Sequence, residues 1–128
     1  MTLDSSALVA ILVAEAGYLD LVDRILQADT VRVGTPTLVE TSIVLSSRRG
    51  KPSFKEVQRL VEELGVTVVP FGEAEWLAAA SAYDRYGRGK HPAGLNFGDC
   101  LAYAAAATAG DALLFVGADF TKTDIRRA

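Results

Sequence analysis

Apolar positions along the chain change their period repeatedly, and each change marks an element. The opening MTLD reads as a short strand. SSALVAILVAEA then reads as a helix, with Asp4 or one of the serines as its N-cap. Gly17 breaks it. In YLDLVDRILQA the apolar residues Leu19, Val22, Ile25 and Leu26 fall at helical spacing. TVRVG is short and β-branched, a strand. TPTLVETSIVLSSRRG predicts a helix capped by Thr35, with Pro36 at the first helical position and Gly50 past its end. SFKEVQRLVEELG predicts another, with Ser53 and Glu56 forming a capping box. VTVVPF is a strand and EAEWLAAASAYDRYG an amphipathic helix, on which Trp76 and Tyr83 are read as core-facing. The loop RGKHPAG leads into NFGDCLAYAAAATAG, a helix apolar on nearly every face, whose alanines permit close packing. ALLFVG is the last clear strand, and ADFTKTDIRRA a turn with a possible edge strand.

The resulting order is β-αα-β-αα-β-αα-β. Short, continuously apolar strands alternating with helices predict an α/β fold: a parallel sheet covered on both faces, in one domain of 128 residues. Ligands of such sheets bind beyond the carboxyl ends of the strands. The polar residues expected at that edge are acids. Asp4 ends the first strand. Glu40 lies about one turn into the helix after the second. Asp99 lies in the first turn of its helix, and Asp119 follows the last strand. Each has a structural reading as a cap or turn residue. Together, four carboxylates at one edge repel, and burial raises that cost. A divalent cation offsets it. An all-oxygen donor set with no zinc-spaced Cys/His pair favours Mg²⁺ or Mn²⁺, and phosphodiester hydrolysis is the chemistry that such a metal serves.

Bulk composition adjusts this picture only slightly. Half of the residues are hydrophobic, enough for a core at this length. The formal net charge of -3 runs against the basic character usual in nucleic-acid binders. The bases are clustered, however: Arg48, Arg49 and Lys51; Arg85, Arg88, Lys90 and His91; Lys122, Arg126 and Arg127. Arg88, Lys90 and His91 are candidate RNA contacts. Cys100 is the only cysteine and has no obvious histidine partner, so it is read as a packed thiol. A lone cysteine and no basic leader at the start point to the cytoplasm. The apolar run after Ala7 is interrupted by Glu15, Gly17 and Asp20, short of the roughly 20 residues that a membrane span needs.

The segments LDSSALVAI, TLVETSIVL, RYGRGKHPAGLNFGDCLAYAAA and LLFVGADFTKTDI resemble, in order, the PIN-domain ribonuclease toxins of the VapC class. The resemblance spans essentially the whole chain and is most specific from Tyr86 to Tyr103. It implies a three-layer α/β fold, Mg²⁺- or Mn²⁺-dependent endoribonuclease activity, a homodimer, and a small VapB-like antitoxin. It implies that Asp4, Glu40 and Asp99 are the core acids with Asp119 as the fourth, Asp124 being a weaker candidate for that place. Ser6 matches the small hydroxyl residue that supports the first acid. Ile43, Val44 and Leu45 offer apolar surface for the homodimer, and Leu8 to Val13 one wall of an antitoxin groove. A receiver-like phosphoacceptor would need an acid pair after the first strand, and a haloacid-dehalogenase-type phosphatase Asp-x-Asp; Ser5 and Ser6 stand there instead. A non-catalytic PIN-like binding module would be expected to have lost acids, yet all four positions are filled.

Overall fold

The structure, a computed structural model, describes residues 1–128. Four short strands form one parallel sheet: β1 (Thr2–Leu3), β2 (Arg32–Gly34), β3 (Thr67–Val69) and β4 (Leu113–Leu114). Six helices surround it: α1 (Ser5–Leu12), α2 (Tyr18–Leu26), α3 (Thr35–Arg49), α4 (Phe54–Glu63), α5 (Glu73–Tyr86) and α6 (Phe97–Ala109). The strand order is β3-β2-β1-β4. The chain therefore winds outward in one direction from β1 through β2 to β3. It then crosses back to lay β4 on the other side of β1. That reversal creates a switch point between β1 and β4, where a parallel sheet opens a crevice at its carboxyl edge.

The two faces of the sheet carry separate cores because successive strand residues point to opposite sides. Leu114 joins Leu3, Val33 and the α1, α2 and α4 residues Leu8, Ile25 and Val61 on one face. Leu113 joins Tyr86, Cys100, Tyr103, Phe115 and Phe120 under α5 and α6 on the other. Ala102, Ala104, Ala105 and Ala106 are buried, so α6 lies close against the sheet as its composition suggests. After β4 the chain turns and returns beside it: Leu113 N donates to Arg126 O at 2.8 Å and Ala128 N to Leu113 O at 2.9 Å. The expected edge strand is thus a single parallel bridge, Leu113 to Arg127.

Several local expectations are corrected. Gly34, not Thr35, caps α3, since helix follows strand with no intervening turn. Ser53 precedes α4 but forms no capping box: its Oγ donates to Lys51 O at 3.0 Å, and Glu56 pairs instead with Arg49 at 3.0 Å. Trp76 and Tyr83 do not face the core. They are 61% and 42% exposed, because α5 turns its alanines, Ala79 and Ala82, towards α6. Conversely, Leu8, Val9, Ala10 and Ile11 are buried, so most of the first apolar run is core rather than groove wall.

Candidate functional site

Asp4 leaves β1 at the switch point and caps α1, so its side chain is held at the N-terminus of that helix. Its Oδ2 accepts from Ser6 N at 3.0 Å and from Ser6 Oγ. The Ser6 hydroxyl also accepts from Val116 N at 3.0 Å, in the loop that follows β4. Ser6 therefore joins Asp4 to the segment that carries Asp119. Asp4 is buried, and burial pushes its carboxyl above the usual range. The Ser6 and Ser5 hydrogen bonds oppose that rise, and the Asp119 charge adds to it.

Asp99 lies in the first turn of α6 and closes a reciprocal cap with Asn96. Asp99 N donates to Asn96 Oδ1 at 2.9 Å, and Asn96 N donates to Asp99 Oδ2 at 2.8 Å. One carboxylate oxygen is thus committed to the helix terminus. Burial raises the Asp99 pKa, the Asn96 amide lowers it, and Asp119 and Asp4 raise it again; Arg88 supplies a small opposing charge. Glu40 projects from α3. Burial raises its pKa, the Ser5 hydroxyl moderates the rise, and Asp4 and Asp99 increase it. Its Oε2 is buried with no hydrogen-bond partner, as is Thr37 Oγ1 one turn earlier on the same helix. Asp119 is exposed, in the turn after β4, and its charge reaches both Asp4 and Asp99.

The fold thus brings acids from four separate segments towards one another: Asp4 and Asp99 each interact with Asp119, and both act on Glu40. Asp124 does not join them. Its carboxylate accepts from Tyr103 and Arg85, which hold its pKa below the usual range, and it shifts none of Asp4, Glu40 or Asp99. The acids are not drawn into a closed cluster: no three Asp, Glu, His or Cys side chains stand together as a finished metal shell. Carboxylates that repel at a distance, with one buried oxygen unpartnered, fit an ion such as Mg²⁺ that keeps several waters between itself and the protein. They do not fit a metal enclosed by side chains.

The glycine of NFGD has a specific role that sequence reasoning missed. A Cβ at Gly98 would overlap Glu40 Oε1 and stand 2.7 Å from Cδ and Oε2. Gly98 is a cradle for the Glu40 carboxylate. A glycine inside a helix, normally about 1 kcal/mol worse than alanine, was the available signal.

The three basic candidates differ. Lys90 pairs with Asp84 at 2.7 Å and lies 4.8 Å over the Tyr83 ring. His91 Nδ1 accepts from Ala93 N at 3.1 Å, and its ring packs edge-on against Tyr86. Both are built into the loop. Arg88 forms no ion pair in the structure, and its charge is felt at Asp99. The other bases are partly spoken for: Arg48 pairs with Glu15 at 2.7 Å, and Arg49 with Glu56. At the opposite edge of the sheet, Asp111 gathers Thr2 and Arg32 into a tie between strands.

A four-stranded parallel sheet of order β3-β2-β1-β4 with acids near its carboxyl edge is the arrangement of a nuclease fold. The chain belongs to the PIN-domain family, whose family model matches residues 1–126. It is similar to Ribonuclease VapC of Mycolicibacterium smegmatis, 42% identical over 126 residues, covering 98% of this chain and 97% of that one. Ribonuclease VapC28 of Mycobacterium tuberculosis is 40% identical over 129 residues, covering 100% of this chain and 97% of the relative. Ribonuclease VapC42 of the same species is 41% identical over 130 residues, covering 100% and 98%.

Proposed function

We propose that this protein is an endoribonuclease, the toxin of a toxin–antitoxin pair, which acts in the cytoplasm as a single domain. Its metal is Mg²⁺ or Mn²⁺, held by Asp4, Glu40, Asp99 and Asp119. The observation that carries the reading is Glu40 Oε2, buried and unpartnered among acids whose pKa values are raised by burial and by one another. That arrangement is costly without a cation and favourable with one.

When bound, a divalent metal acidifies water and stabilises charge on phosphoryl and leaving oxygens. The chain supplies the rest. Ser6 holds Asp4 in place by two hydrogen bonds to Oδ2. Asn96 fixes Asp99 through the cap and leaves one oxygen for the ligand role. Gly98 leaves room for Glu40. Arg88 is the base placed to meet an RNA phosphate, where it would position the backbone without reading sequence.

An exposed apolar surface supports a protein partner. Val39 and Ile43 of α3, Trp76 of α5 and Phe97 beside the acids are all more than half exposed. They line a continuous apolar groove of about 750 Å³ that also touches Glu40. A second copy of the chain is its occupant, in a twofold dimer with one acid pocket per subunit. A VapB-like antitoxin brings an Arg or Lys to the acids, displacing the metal as well as blocking RNA. The experiment is RNA cleavage by the purified chain, with and without EDTA. Asp4→Asn and Asp99→Asn should lose activity while remaining cooperatively folded. Full cleavage in EDTA would refute the reading.

A further inference from the structure

Asp124 stands where the chain leaves the acid edge, and each of its carboxylate oxygens has its own partner. Oδ1 accepts from the Tyr103 hydroxyl of α6 at 2.7 Å, and Oδ2 from Arg85 of α5 at 2.9 Å. Arg85 also donates to the Tyr86 hydroxyl at 2.6 Å and lies 4.6 Å over that ring. One carboxylate thereby ties both helices of this face to the end of the loop that carries Asp119.

The start and middle of that loop are anchored elsewhere. Val116 N donates to Ser6 Oγ, and Phe120 is buried against Phe115 at 5.0 Å between ring centroids. Asp119 itself is exposed and accepts no hydrogen bond from the protein, so its neighbours set its position. The two links to Asp124 are unequal. Arg85 and Asp124 are both about half exposed, and an ion pair of that kind contributes little. Tyr103 is buried, so its hydroxyl depends on this acceptor, and a hydrogen bond to a charged group is among the stronger ones. Tyr103 also lies on the helix whose first turn carries Asp99.

We propose that Asp124 is a positioning residue: through Tyr103 and Arg85 it fixes the Asp119 loop to the helix that carries Asp99. The inference rests on the acid site proposed above. Asp124 touches neither metal nor RNA. It keeps the fourth carboxylate at a set distance from the third, so that a loop residue behaves as part of a rigid constellation.

The test uses the whole chain and Mn²⁺ alone, read by the rise in melting temperature on titration, with Asp119→Asn as reference. Tyr103→Phe and Asp124→Asn should each raise the half-saturating Mn²⁺ concentration by about tenfold, the scale of one hydrogen bond to a charged group. They should also speed amide exchange across residues 116 to 123 while the α6 amides stay protected. Added to Asp119→Asn, neither should weaken Mn²⁺ binding further. If Asp124→Asn folds poorly, Tyr103→Phe, which removes one oxygen from a packed ring, carries the same test. A wild-type Mn²⁺ response in both variants, with Asp119→Asn impaired, would overturn the positioning role and leave the acid site standing. A wild-type response in Asp119→Asn would overturn the fourth acid, and the positioning role with it.

Discussion

Replacing Gly98 by alanine separates the site from the fold. Gly98 sits in the first turn of α6 with ordinary helical backbone, since it is not among the glycines of positive φ. Alanine is therefore compatible there and should add about 0.8–1.0 kcal/mol of helix stability. The added Cβ meets only the Glu40 carboxylate among its closest neighbours. Restoring ordinary contact requires Glu40 Cδ to retreat by at least about 0.7 Å, and Oε1 by more. The carboxylate can move because it ends a flexible side chain, losing at most the Ser5 hydrogen bond, since its buried Oε2 has none. The fold should thus keep or gain stability while the acid leaves its place. A misplacement near 1 Å costs on the order of 100-fold in rate. Thermal melting without metal and initial rates of RNA cleavage, run on Gly98→Ala beside Glu40→Gln, give both numbers. Wild-type activity in Gly98→Ala would refute the role assigned to Glu40. Activity lost only in step with a fall in melting temperature would show that Gly98 serves packing instead.

Ser6→Ala removes the hydroxyl shared by Asp4 and Val116 N, and should cost about 1–2 kcal/mol in a denaturant melt as well as most of the cleavage rate. The acids give the metal-free chain a particular pH dependence. Asp4, Asp99 and Glu40 have pKa values raised above 3.8, 3.8 and 4.5. The stability that they contribute is fully present below those unfolded values and is lost as pH rises through the folded ones. Asp124 is lowered, so its contribution is present above 3.8 and lost as pH falls through its folded value. A pH series of melts should show the first loss diminished in Asp4→Asn and the second in Asp124→Asn; unchanged curves in both variants would contradict the assignments. Ile43→Asp places a charge on a side chain 64% exposed and should yield a folded monomer by light scattering, whereas a monomeric wild type would end the dimer proposal. Cys100→Ser should retain most activity, since the buried thiol has its pKa raised and is a poor nucleophile; an inactive, well-folded variant would argue for thiol chemistry.

Much of this was legible in the chain because it depends on local periodicity and local hydrogen bonding. Alternating strand and helix patterns gave the element order. Asp4 before SSALVAIL and the Asn96–Asp99 spacing encode two helix caps, and each cap delivers an acid to a helix N-terminus at the sheet edge. A parallel sheet then puts strand ends and helix starts together, which is why the four acids are expected at one edge. Where the expectation failed, the deciding contact was distant in sequence. Ser53 and Glu56 have the spacing of a capping box, but Glu56 finds Arg49 on another helix. Trp76 and Tyr83 line an open groove beside the α5–α6 contact, with Phe97 and Leu101 of α6, and helical spacing alone cannot say which apolar stripe a neighbour will cover. The choice between Asp119 and Asp124 is of the same kind. Both are acids on one loop, and the bonds from Tyr103 and Arg85 to Asp124 appear only once the helices pack. By itself the sequence determined the element order and the caps at Asp4 and Asn96, since these follow from residues within a few positions of each other. The strand order that places Asp4 beside the Asp119 loop, the cradle that Gly98 makes for Glu40, and the face left open on α5 were decided by the tertiary structure, because each depends on surfaces that meet only once the layers pack.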